Sequence, residues 1–195
     1  TDENGEIMTD ESGNLILDQE KIAEYTKELA QLFDTKGAVW IWEKADGTKV
    51  TVTTRGKGYK VDTKKEAERL YKAALIGIKE TRKPEYLKEG AGRGEAELGD
   101  TYVEIDMTAQ KLYYYINKKL YLETDIVTGN LARGHDTPAA VCSVYAKQKN
   151  RVLRGANYAS FVYYWMPVRG GIGIHDATWR DEFGGDIYKT DGSHG

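Results

Sequence analysis

Apolar residues recur at helical spacing in two stretches near the amino terminus. The first stretch has one apolar face, formed by Ile22, Tyr25, Leu29, Leu32 and Phe33. This spacing predicts a helix, which Asp18 caps and Gly37 stops. A second helix is predicted from Thr63, because Thr63 and Glu66 have the spacing of a capping box. Its apolar face comprises Ala67, Leu70, Ala74 and Ile78.

Between these helices the pattern changes to the alternation of β-strands. Residues 38–44 and 48–55 flank an Asp-Gly dipeptide, which suits the tight turn of a hairpin. The alternation groups the aliphatic residues on one face, namely Val39, Ile41, Val50 and Val52. Trp40 and Trp42 fall on the opposite face, where they either cover the hairpin or stack on a carbohydrate.

Residues 80–99 show no periodicity and contain Pro84 and several glycines, which is typical of a linker. Short strand patterns follow, at residues 101–107, 110–116, 119–128, 140–147, 161–166 and 171–175, the last two joined through Pro167. The first three predict an antiparallel meander. The pattern therefore predicts an α+β domain at residues 1–99 and a mostly β domain, sandwich or barrel-like, at residues 100–195.

The composition removes two classes of partner. The chain has 195 residues, of which 30% are charged, and a net charge of −3. Acidic and basic residues nearly balance in each half, so no basic surface for nucleic acid is predicted. No apolar run approaches the roughly 18 residues of a membrane span, and membrane attachment is expected only through an anchor preceding Thr1. The single cysteine, Cys142, excludes an intrachain disulfide, and its strand-like surroundings predict a buried, unreactive thiol.

His175 follows a short apolar run and is followed directly by Asp176. A histidine that acts as a general base needs an acceptor on its other ring nitrogen, because that bond fixes the tautomer facing the proton to be moved. Asp176 offers two acceptors, its carboxylate and its main-chain carbonyl. A histidine in an exposed loop without a catalytic role is the alternative interpretation of the same residues.

A second histidine, His194, lies between Ser193 and Gly195. The glycine allows main-chain amides to approach a ligand closely, as an oxyanion-binding turn requires. Ser193 is a poor candidate for a nucleophile activated by His194, since adjacent side chains seldom point at one another. A zinc site formed by His135, His175 and His194 is a competing interpretation, although their spacing matches no common zinc motif.

The carboxyl-terminal half carries the motifs of a known family. They are Thr128-Gly129, Thr137-Pro138, Val144-Tyr145-Ala146-Lys147, Leu153-Arg154-Gly155, Tyr164-Trp165-Met166-Pro167, Gly171 to Arg180, Phe183-Gly184-Gly185 and Gly192-Ser193-His194-Gly195. In order and spacing these motifs resemble the YkuD-type L,D-transpeptidase catalytic domain across residues 100–195. The amino-terminal half, with Gly58 to Asp62 before a helix, more loosely resembles the peptidoglycan-binding domain that precedes it in Gram-positive members.

The resemblance implies cysteine acyl transfer on peptidoglycan stem peptides, which forms 3-3 crosslinks and needs no cofactor or metal. A thiolate attacks the carbonyl of the third residue of a tetrapeptide stem and expels the terminal D-alanine. The catalytic residues implied are His175 as base, Asp176 as its orienter, and Ser193, His194 and Gly195 as the oxyanion turn. The implied groove residues are Tyr164, Trp165, Trp179 and Arg180. Arg180 either binds a stem carboxylate or pairs with Asp181 or Glu182.

In this family the nucleophilic cysteine directly follows Ser-His-Gly, whereas the sequence ends at Gly195. Cys142 does not replace that cysteine, since it lies within a predicted strand. The 195-residue chain is therefore expected to be inactive, as part of an active, β-lactam-sensitive parent enzyme. A non-catalytic peptidoglycan-binding module is the alternative interpretation. The family also implies an extracellular location, in the cell wall or at the outer face of the cytoplasmic membrane of a Gram-positive bacterium.

Overall fold

The computed structural model describes residues 5–54, 56–156 and 158–194. The chain divides into two compact units, each made of two segments. The first unit comprises the residues up to Lys36 and Gly58–Arg93, and the second comprises Gly37–Lys57 and the residues from Gly94 onward. In chain order the elements are α1 (Gln19–Phe33), β1 (Val39–Glu43), β2 (Lys49–Thr53), β3 (Lys60–Val61), α2 (Thr63–Leu75), β4 (Tyr86–Lys88), β5 (Tyr102–Asp106), β6 (Lys111–Ile116), β7 (Lys119–Asp125), β8 (Gln148–Gly155), β9 (Tyr158–Arg169), β10 (Ile172–His175) and α3 (Ile187–Asp191).

The first unit is built on α1 and α2, which pack on each other. Both predicted helices are confirmed. Asp18 caps α1, because its side chain accepts hydrogen bonds from two main-chain N–H groups of the first turn. The cap of α2 is Asp62, whose side chain accepts from Lys65 N. The predicted capping role of Thr63 is wrong, since Thr63 already lies inside the first turn of the helix.

A short antiparallel ribbon, β3–β4, completes the first unit. Arg82 ties the segment before β4 to α2, because its two terminal nitrogens donate to the two carboxylate oxygens of Glu66 at 2.7 and 3.0 Å. Glu66 also accepts from Glu85 N at 2.9 Å. The unit is therefore joined by a bidentate ion pair as well as by helix packing.

The second unit contains two three-stranded antiparallel sheets and one hairpin within the described residues. The sheet β5–β6–β7 is the predicted meander, which is confirmed. The other sheet has β9 at its centre, between β8 and β10. Neither sheet closes into a barrel in the part of the chain that the structure describes. The second unit is thus mostly β, as predicted, and of the two predicted forms, sandwich or barrel-like, the described residues do not form a closed barrel.

One strand prediction in this unit is wrong, and the predicted junction at Pro167 between two correctly predicted strands is misplaced. Residues 140–147 form no strand and make single main-chain bonds, from Val141 N to β2 at 3.0 Å and from Tyr145 N to β9 at 3.1 Å. The strand β8 begins directly after this segment. Its first four residues are polar, so the sequence pattern does not mark it as a strand. Pro167 lies inside β9, where a register shift on the neighbouring β10 accommodates it. Cys142 lies in the segment 140–147 and is exposed, contrary to the predicted buried thiol.

The hairpin β1–β2 is confirmed, with Gly47 at the positive φ of 81° that such turns favour. Its register pairs Trp40 with Val52 and Trp42 with Val50. Cross-strand partners lie on the same face, so the predicted placement of the tryptophans opposite these two valines is wrong. Alternation fixes the faces within one strand, whereas the register between two strands is set by the turn.

The hairpin belongs to the second unit, although the sequence pattern assigned it to the first domain. Trp42 packs edge-on against Tyr102, with ring centroids 5.5 Å apart, and its Nε1 donates to Glu104 at 3.1 Å. Lys44 Nζ lies 2.8 Å from the carboxylate of the buried Asp106. These contacts join residues 60 or 62 positions apart in sequence, which no local pattern reveals. The predicted domain boundary therefore separates residues that the structure keeps in one unit.

Most of the buried side chains among the described residues are polar or charged. The aliphatic ones are Ala30, Val61, Leu112 and Val162, and the polar or charged ones are Thr26, Thr54, Asp62, Glu97, Asp106, Gln110, Thr128 and Asn130. Three of the polar side chains, those of Gln110, Thr128 and Asn130, lie close together in the second unit. No helix within the described ranges is long and apolar enough to cross a bilayer.

Candidate active site

His175 ends β10 and pairs with Trp165 of β9. Its Nδ1 lies 2.8 Å from the main-chain oxygen of Asp176. Because a carbonyl oxygen only accepts hydrogen bonds, this contact requires the proton on Nδ1 and leaves the lone pair of Nε2 to act as a base. Two indoles neighbour the ring, with centroids 5.8 Å away in Trp165 and 5.9 Å away in Trp179. His175 therefore has the tautomer of a general base.

The carboxylate of Asp176 serves a different purpose from its carbonyl. It accepts hydrogen bonds from the main-chain nitrogens of Tyr163, at 3.1 Å, and Tyr164, at 2.7 Å. Burial opposes ionisation of Asp176, but these two bonds, together with the main-chain N–H of Asp176 and the attraction of His175, outweigh it and hold the pKa of the carboxyl below its ordinary value. The side chain thus ties the turn after β10 to β9, while the main chain orients His175.

Ser193 follows α3 and is joined to the segment after β7. Ser193 N donates to the oxygen of Thr128, and Asn130 N donates to the oxygen of Ser193, both at 2.9 Å. These bonds form a parallel bridge between Gly129 and Ser193. The main chain of the predicted oxyanion turn is therefore fixed by a neighbouring segment and not only by its own glycines.

The ring of His194 is held by two other rings. Its centroid lies 4.2 Å from that of Tyr158 and 5.1 Å from that of His135. These contacts fix the imidazole beside the turn. Gly195, the third predicted residue of the oxyanion turn, lies outside the described residues.

A buried polar network behind this bridge was missed by the sequence analysis. Gln110 Nε2 donates to Thr128 Oγ1 at 2.8 Å, and Thr128 N donates to Gln110 Oε1 at 2.9 Å. Asn130 Nδ2 donates to the oxygen of Thr190 at 2.8 Å. Buried polar groups are costly unless they are bonded, so this network gives the segment after β7 one defined position. Little in the sequence indicates this buried network, because Gln110 stands at the start of a predicted strand.

A cleft of about 2,390 Å³ is lined by residues of both parts of the site, among them His175, Ser193 and His194. The four predicted groove residues, Tyr164, Trp165, Trp179 and Arg180, also line it. Trp165 pairs with His175 and shares its face of the sheet, whereas Tyr164, the preceding strand residue, points to the opposite face. The structure therefore places Trp165 and Trp179 beside the predicted base, while Tyr164 lies on the other side of β9.

Arg180 is bound to Asp191 rather than to either of its acidic sequence neighbours. Its Nη1 donates to Asp191 Oδ2 at 3.1 Å, and its Nη2 donates to the main-chain oxygen of Asp191 at 2.6 Å. The Arg180 side chain is only 15% exposed. Two of its donors are thus directed at the end of α3, so the alternative pairing with Asp181 or Glu182 is not observed.

The competing chemical uses of these residues find little support in the geometry. No group of three or more His, Cys, Asp or Glu side chains is placed to bind a metal ion in the described part of the chain. Cys142 lines the same large cleft from the segment 140–147, and no described hydrogen bond activates its thiol. The arrangement that the site does contain, a tautomer-fixed imidazole and a bonded main-chain turn, is suited to acyl transfer.

Comparison with known proteins places this site in a family. The model of the L,D-transpeptidase catalytic domain, YkuD, matches residues 100–195. The crystal structure of a cysteine-to-serine mutant of Enterococcus faecium L,D-transpeptidase is 36% identical and has a TM-score of 0.80, with 97% of this chain and 76% of that chain covered. The Ldtfm–avibactam carbamoyl enzyme is also 36% identical, with a TM-score of 0.80 and coverage of 97% and 75%.

A third structure covers about half of this chain. The NMR structure of the catalytic domain from E. faecium L,D-transpeptidase acylated by ertapenem is 47% identical over 49% of this chain and 78% of that chain, with a TM-score of 0.44. The comparison with curated proteins gave no match. Since the first relative is 36% identical across 97% of this chain, the similarity extends over both units. The chain belongs to the L,D-transpeptidase family.

Proposed function

We propose that the protein containing this chain is a peptidoglycan L,D-transpeptidase, which joins stem peptides through 3-3 crosslinks by cysteine acyl transfer. The observation that supports this most directly is the His175 tautomer, fixed by the carbonyl of Asp176 at 2.8 Å, in a cleft that Ser193 and His194 also line. The nucleophile is the cysteine that the family places directly after the Ser-His-Gly motif.

In the acylation step, Nε2 of His175 takes the proton of the cysteine thiol. The thiolate attacks the carbonyl carbon of the third stem residue, and the carbonyl oxygen becomes an oxyanion. Main-chain N–H groups that follow Ser193 in this turn donate to the oxyanion, since the N–H of Ser193 itself is bonded to the oxygen of Thr128. The carbon–nitrogen bond then breaks, the imidazolium of His175 returns the proton to the leaving D-alanine, and a thioester remains.

In the second step, an amine of a neighbouring stem attacks the thioester carbonyl. Nε2 of His175 accepts a proton from this amine and delivers it to the departing thiolate, so that the enzyme returns to its starting state. The product is an amide between two stem peptides. No cofactor enters either step, because the same imidazole moves the proton in both directions.

The aromatic lining of the cleft gives the stem peptide its surface. Trp179 is 51% exposed and its ring lies 5.9 Å from that of His175, so it is available for contact with a ligand beside the base. Tyr164 is 53% exposed but lies on the face of β9 opposite to Trp165 and His175. An exposed indole offers large apolar area at low entropic cost. We assign Trp179 to the wall of the groove for the donor stem.

Sensitivity to β-lactams and an extracytoplasmic location follow from the same proposal. A carbamoyl enzyme formed with avibactam is known for one relative. The thiolate of the intact site here is proposed to open the ring of carbapenem-type β-lactams and to be acylated by them. Since peptidoglycan lies outside the cytoplasmic membrane, the proposed place of action is the cell wall or the outer face of that membrane.

The test is release of D-alanine from a stem tetrapeptide. The chain extended by its natural carboxyl-terminal segment is expected to release D-alanine, and its His175→Ala variant is expected to lose at least about 100-fold in kcat. The 195-residue chain is expected to be inactive, because its single cysteine, Cys142, is not the family's nucleophile. Turnover by the 195-residue chain, or none by the extended chain, would overturn the proposal.

A further inference from the structure

The last described residues, which carry the oxyanion turn, have little apolar packing to hold them. The helix α3 is five residues long, has no side-chain cap and contains no buried residue. A helix this short is marginal without tertiary contacts. The position of Ser193 and His194 therefore depends on hydrogen bonds made by other parts of the second unit.

Arg180 supplies one of these attachments from the turn that follows His175. Its guanidinium donates both to the Asp191 carboxylate, at 3.1 Å, and to the Asp191 main-chain oxygen, at 2.6 Å. The carboxylate is 84% exposed and is screened by solvent, so the bond to the main chain is the more restrictive one. Arg180 N in turn donates to the oxygen of Ala177 at 3.2 Å, which closes the turn that carries it.

Asn130 supplies the other attachment, from the segment after β7. Its side chain is 3% exposed, and its Nδ2 donates to the oxygen of Thr190 at 2.8 Å. Its Oδ1 accepts from Arg133 N at 3.0 Å, which sets the orientation of the amide. Its main-chain nitrogen donates to Ser193 at 2.9 Å. One buried residue thus holds two points of the terminal segment.

We infer that Arg180 and Asn130 are positioning residues, which hold the terminal segment from two parts of the fold and thereby set the oxyanion turn relative to His175. This inference rests on the proposed transpeptidase function. Because His175 and Arg180 are five positions apart, the same turn that carries the base also fixes the end of α3. The thiol that follows the Ser-His-Gly motif is then presented to Nε2 of His175.

The two functions open to Arg180 are distinguishable in the geometry. A guanidinium that receives a stem carboxylate presents its paired donors to the ligand, whereas Arg180 directs Nη1 and Nη2 at Asp191. Displacement of reacting groups by about 1 Å costs on the order of 100-fold in rate. Loss of the arginine is therefore expected to slow acylation and to leave substrate binding nearly unchanged.

The experiment uses the full-length protein with four variants: Arg180→Ala, Arg180→Lys, Asn130→Asp and the control Arg151→Ala. Arg151 is an exposed arginine on β8 that pairs with Val162 and is not among the residues lining the cleft. For Arg180→Ala, kcat for D-alanine release should fall at least about tenfold with KM within about twofold. Arg180→Lys should recover part of kcat, since an ammonium can replace one of the two bonds.

Asn130→Asp keeps the shape of the side chain but removes the donor to Thr190, so it should lower kcat as Arg180→Ala does. A second measurement is the pH dependence of thiol alkylation by iodoacetamide, a small uncharged reagent. Because pairing with His175 lowers the pKa of the thiol, both variants should shift the alkylation profile toward higher pH. The control Arg151→Ala should change neither readout.

Each contrary outcome overturns the inference. A raised KM with an unchanged alkylation profile would make Arg180 a ligand for a substrate carboxylate. If kcat falls only as far as the loss of thermal stability explains, and the alkylation profile is unchanged, both residues stabilise the fold without positioning the turn.

Failure of the proposed function is distinguishable from failure of this inference. If the full-length protein releases no D-alanine, the proposed transpeptidase function is wrong. Hydrogen exchange in the 195-residue chain tests the positioning roles of Arg180 and Asn130 independently of activity. Arg180→Ala is expected to speed exchange of the Ser193 and Asn130 amides at least about tenfold, and unchanged exchange overturns the inference.

Discussion

At the scale of single residues, Asp176 shows how one amino acid divides two tasks between its main chain and its side chain. Its carbonyl fixes the tautomer of His175, and its carboxylate binds two amides of β9. The sequence left open which of the two acceptors orients the imidazole. The structure assigns orientation to the carbonyl, which every amino acid possesses, so the requirement for aspartate arises from the tether to β9.

Replacement of Asp176 should therefore leave the tautomer of His175 intact. In Asp176→Ala the carbonyl acceptor remains, so the imidazole is expected to keep its proton on Nδ1. Nitrogen-15 NMR of the imidazole in the 195-residue chain measures this, with His175→Gln used to assign the signals. A variant protonated on Nε2 would show that the carboxylate, and not the carbonyl, selects the tautomer.

The tether should make stability depend on pH in a defined direction. The pKa of Asp176 is lowered in the folded state, so its contribution is complete above the ordinary value of about 3.9 and is lost as pH falls through the lowered pKa. Asp176→Asn should cost about 1 kcal/mol at pH 7, and the difference from wild type should shrink below about pH 4.

Thermal unfolding of the 195-residue chain across pH measures this difference. Asp181→Asn, a change of the same kind at an exposed position, serves as the matched control and should alter the melting temperature little at any pH. A deficit in Asp176→Asn that stays constant into strong acid would show that shape, and not charge, determines its effect.

At the scale of elements, the oxyanion turn depends on close approach between the segment after β7 and the residues after α3. A Cβ at Gly129 would lie 1.8 Å from the oxygen of His135, and a Cβ at Gly192 would lie 2.6 Å from two main-chain atoms of Asn130. Such distances leave no room for any side chain. Glycine at both positions allows the bridge between Gly129 and Ser193 to form.

Gly192→Ala tests this close approach without backbone strain, since Gly192 has a φ of −70° that alanine adopts readily. The added methyl should force the two segments apart and cost about 1–3 kcal/mol in the free energy of unfolding. Gly171→Ala is the matched control, because a Cβ there meets no atom within 4 Å. Urea unfolding of both variants measures the effect, and equal costs at the two positions would contradict the explanation.

The elements that the sequence predicted correctly are those whose pattern is local. The cap and the apolar face of α1 lie within one continuous stretch of sequence. In the meander, apolar and polar residues alternate within each strand, and polar residues separate the strands. The strand β8 was missed because it begins with Gln148 and Lys149 and has an exposed face, so no apolar alternation marks it. Residues 140–147 carried such alternation but lie in an irregular segment, because their partners are single residues of β2 and β9.

The site was predictable to the extent that its residues are adjacent in sequence or share motifs with a family. His175, Asp176, Ser193 and His194 were assigned in this way. The bonds that position them join Gln110 to Thr128, 18 residues away, and link more distant segments besides. A buried glutamine or asparagine has no local signature, because only the fold determines whether its amide finds a partner.

At the scale of the whole molecule, the second unit is interrupted by half of the first, the segment Gly58–Arg93. The chain leaves the first unit after Lys36, forms the hairpin β1–β2 and returns to the first unit at Gly58. Beside this point Lys36 N donates to the oxygen of Tyr59 at 2.9 Å. The hairpin is attached to β5 through Trp42 and Lys44. All four tryptophans lie in the second unit, so indole fluorescence reports on that unit alone.

Deletion of residues 37–57, with Lys36 joined to Gly58 through two glycines, should therefore weaken only the second unit. The loss of the Trp42–Tyr102 contact and of the Lys44–Asp106 pair leaves Asp106 buried without its cation, and we expect the second unit to lose about 2–4 kcal/mol. Urea unfolding followed by Trp165 and Trp179 fluorescence measures this loss, while far-ultraviolet circular dichroism follows the helices of the first unit. Glu43→Gln, which removes an exposed pair at 3.8 Å within the hairpin, is the control and should change little. An unchanged fluorescence midpoint after the deletion would mean that the hairpin adds nothing to the second unit, contrary to its contacts with β5.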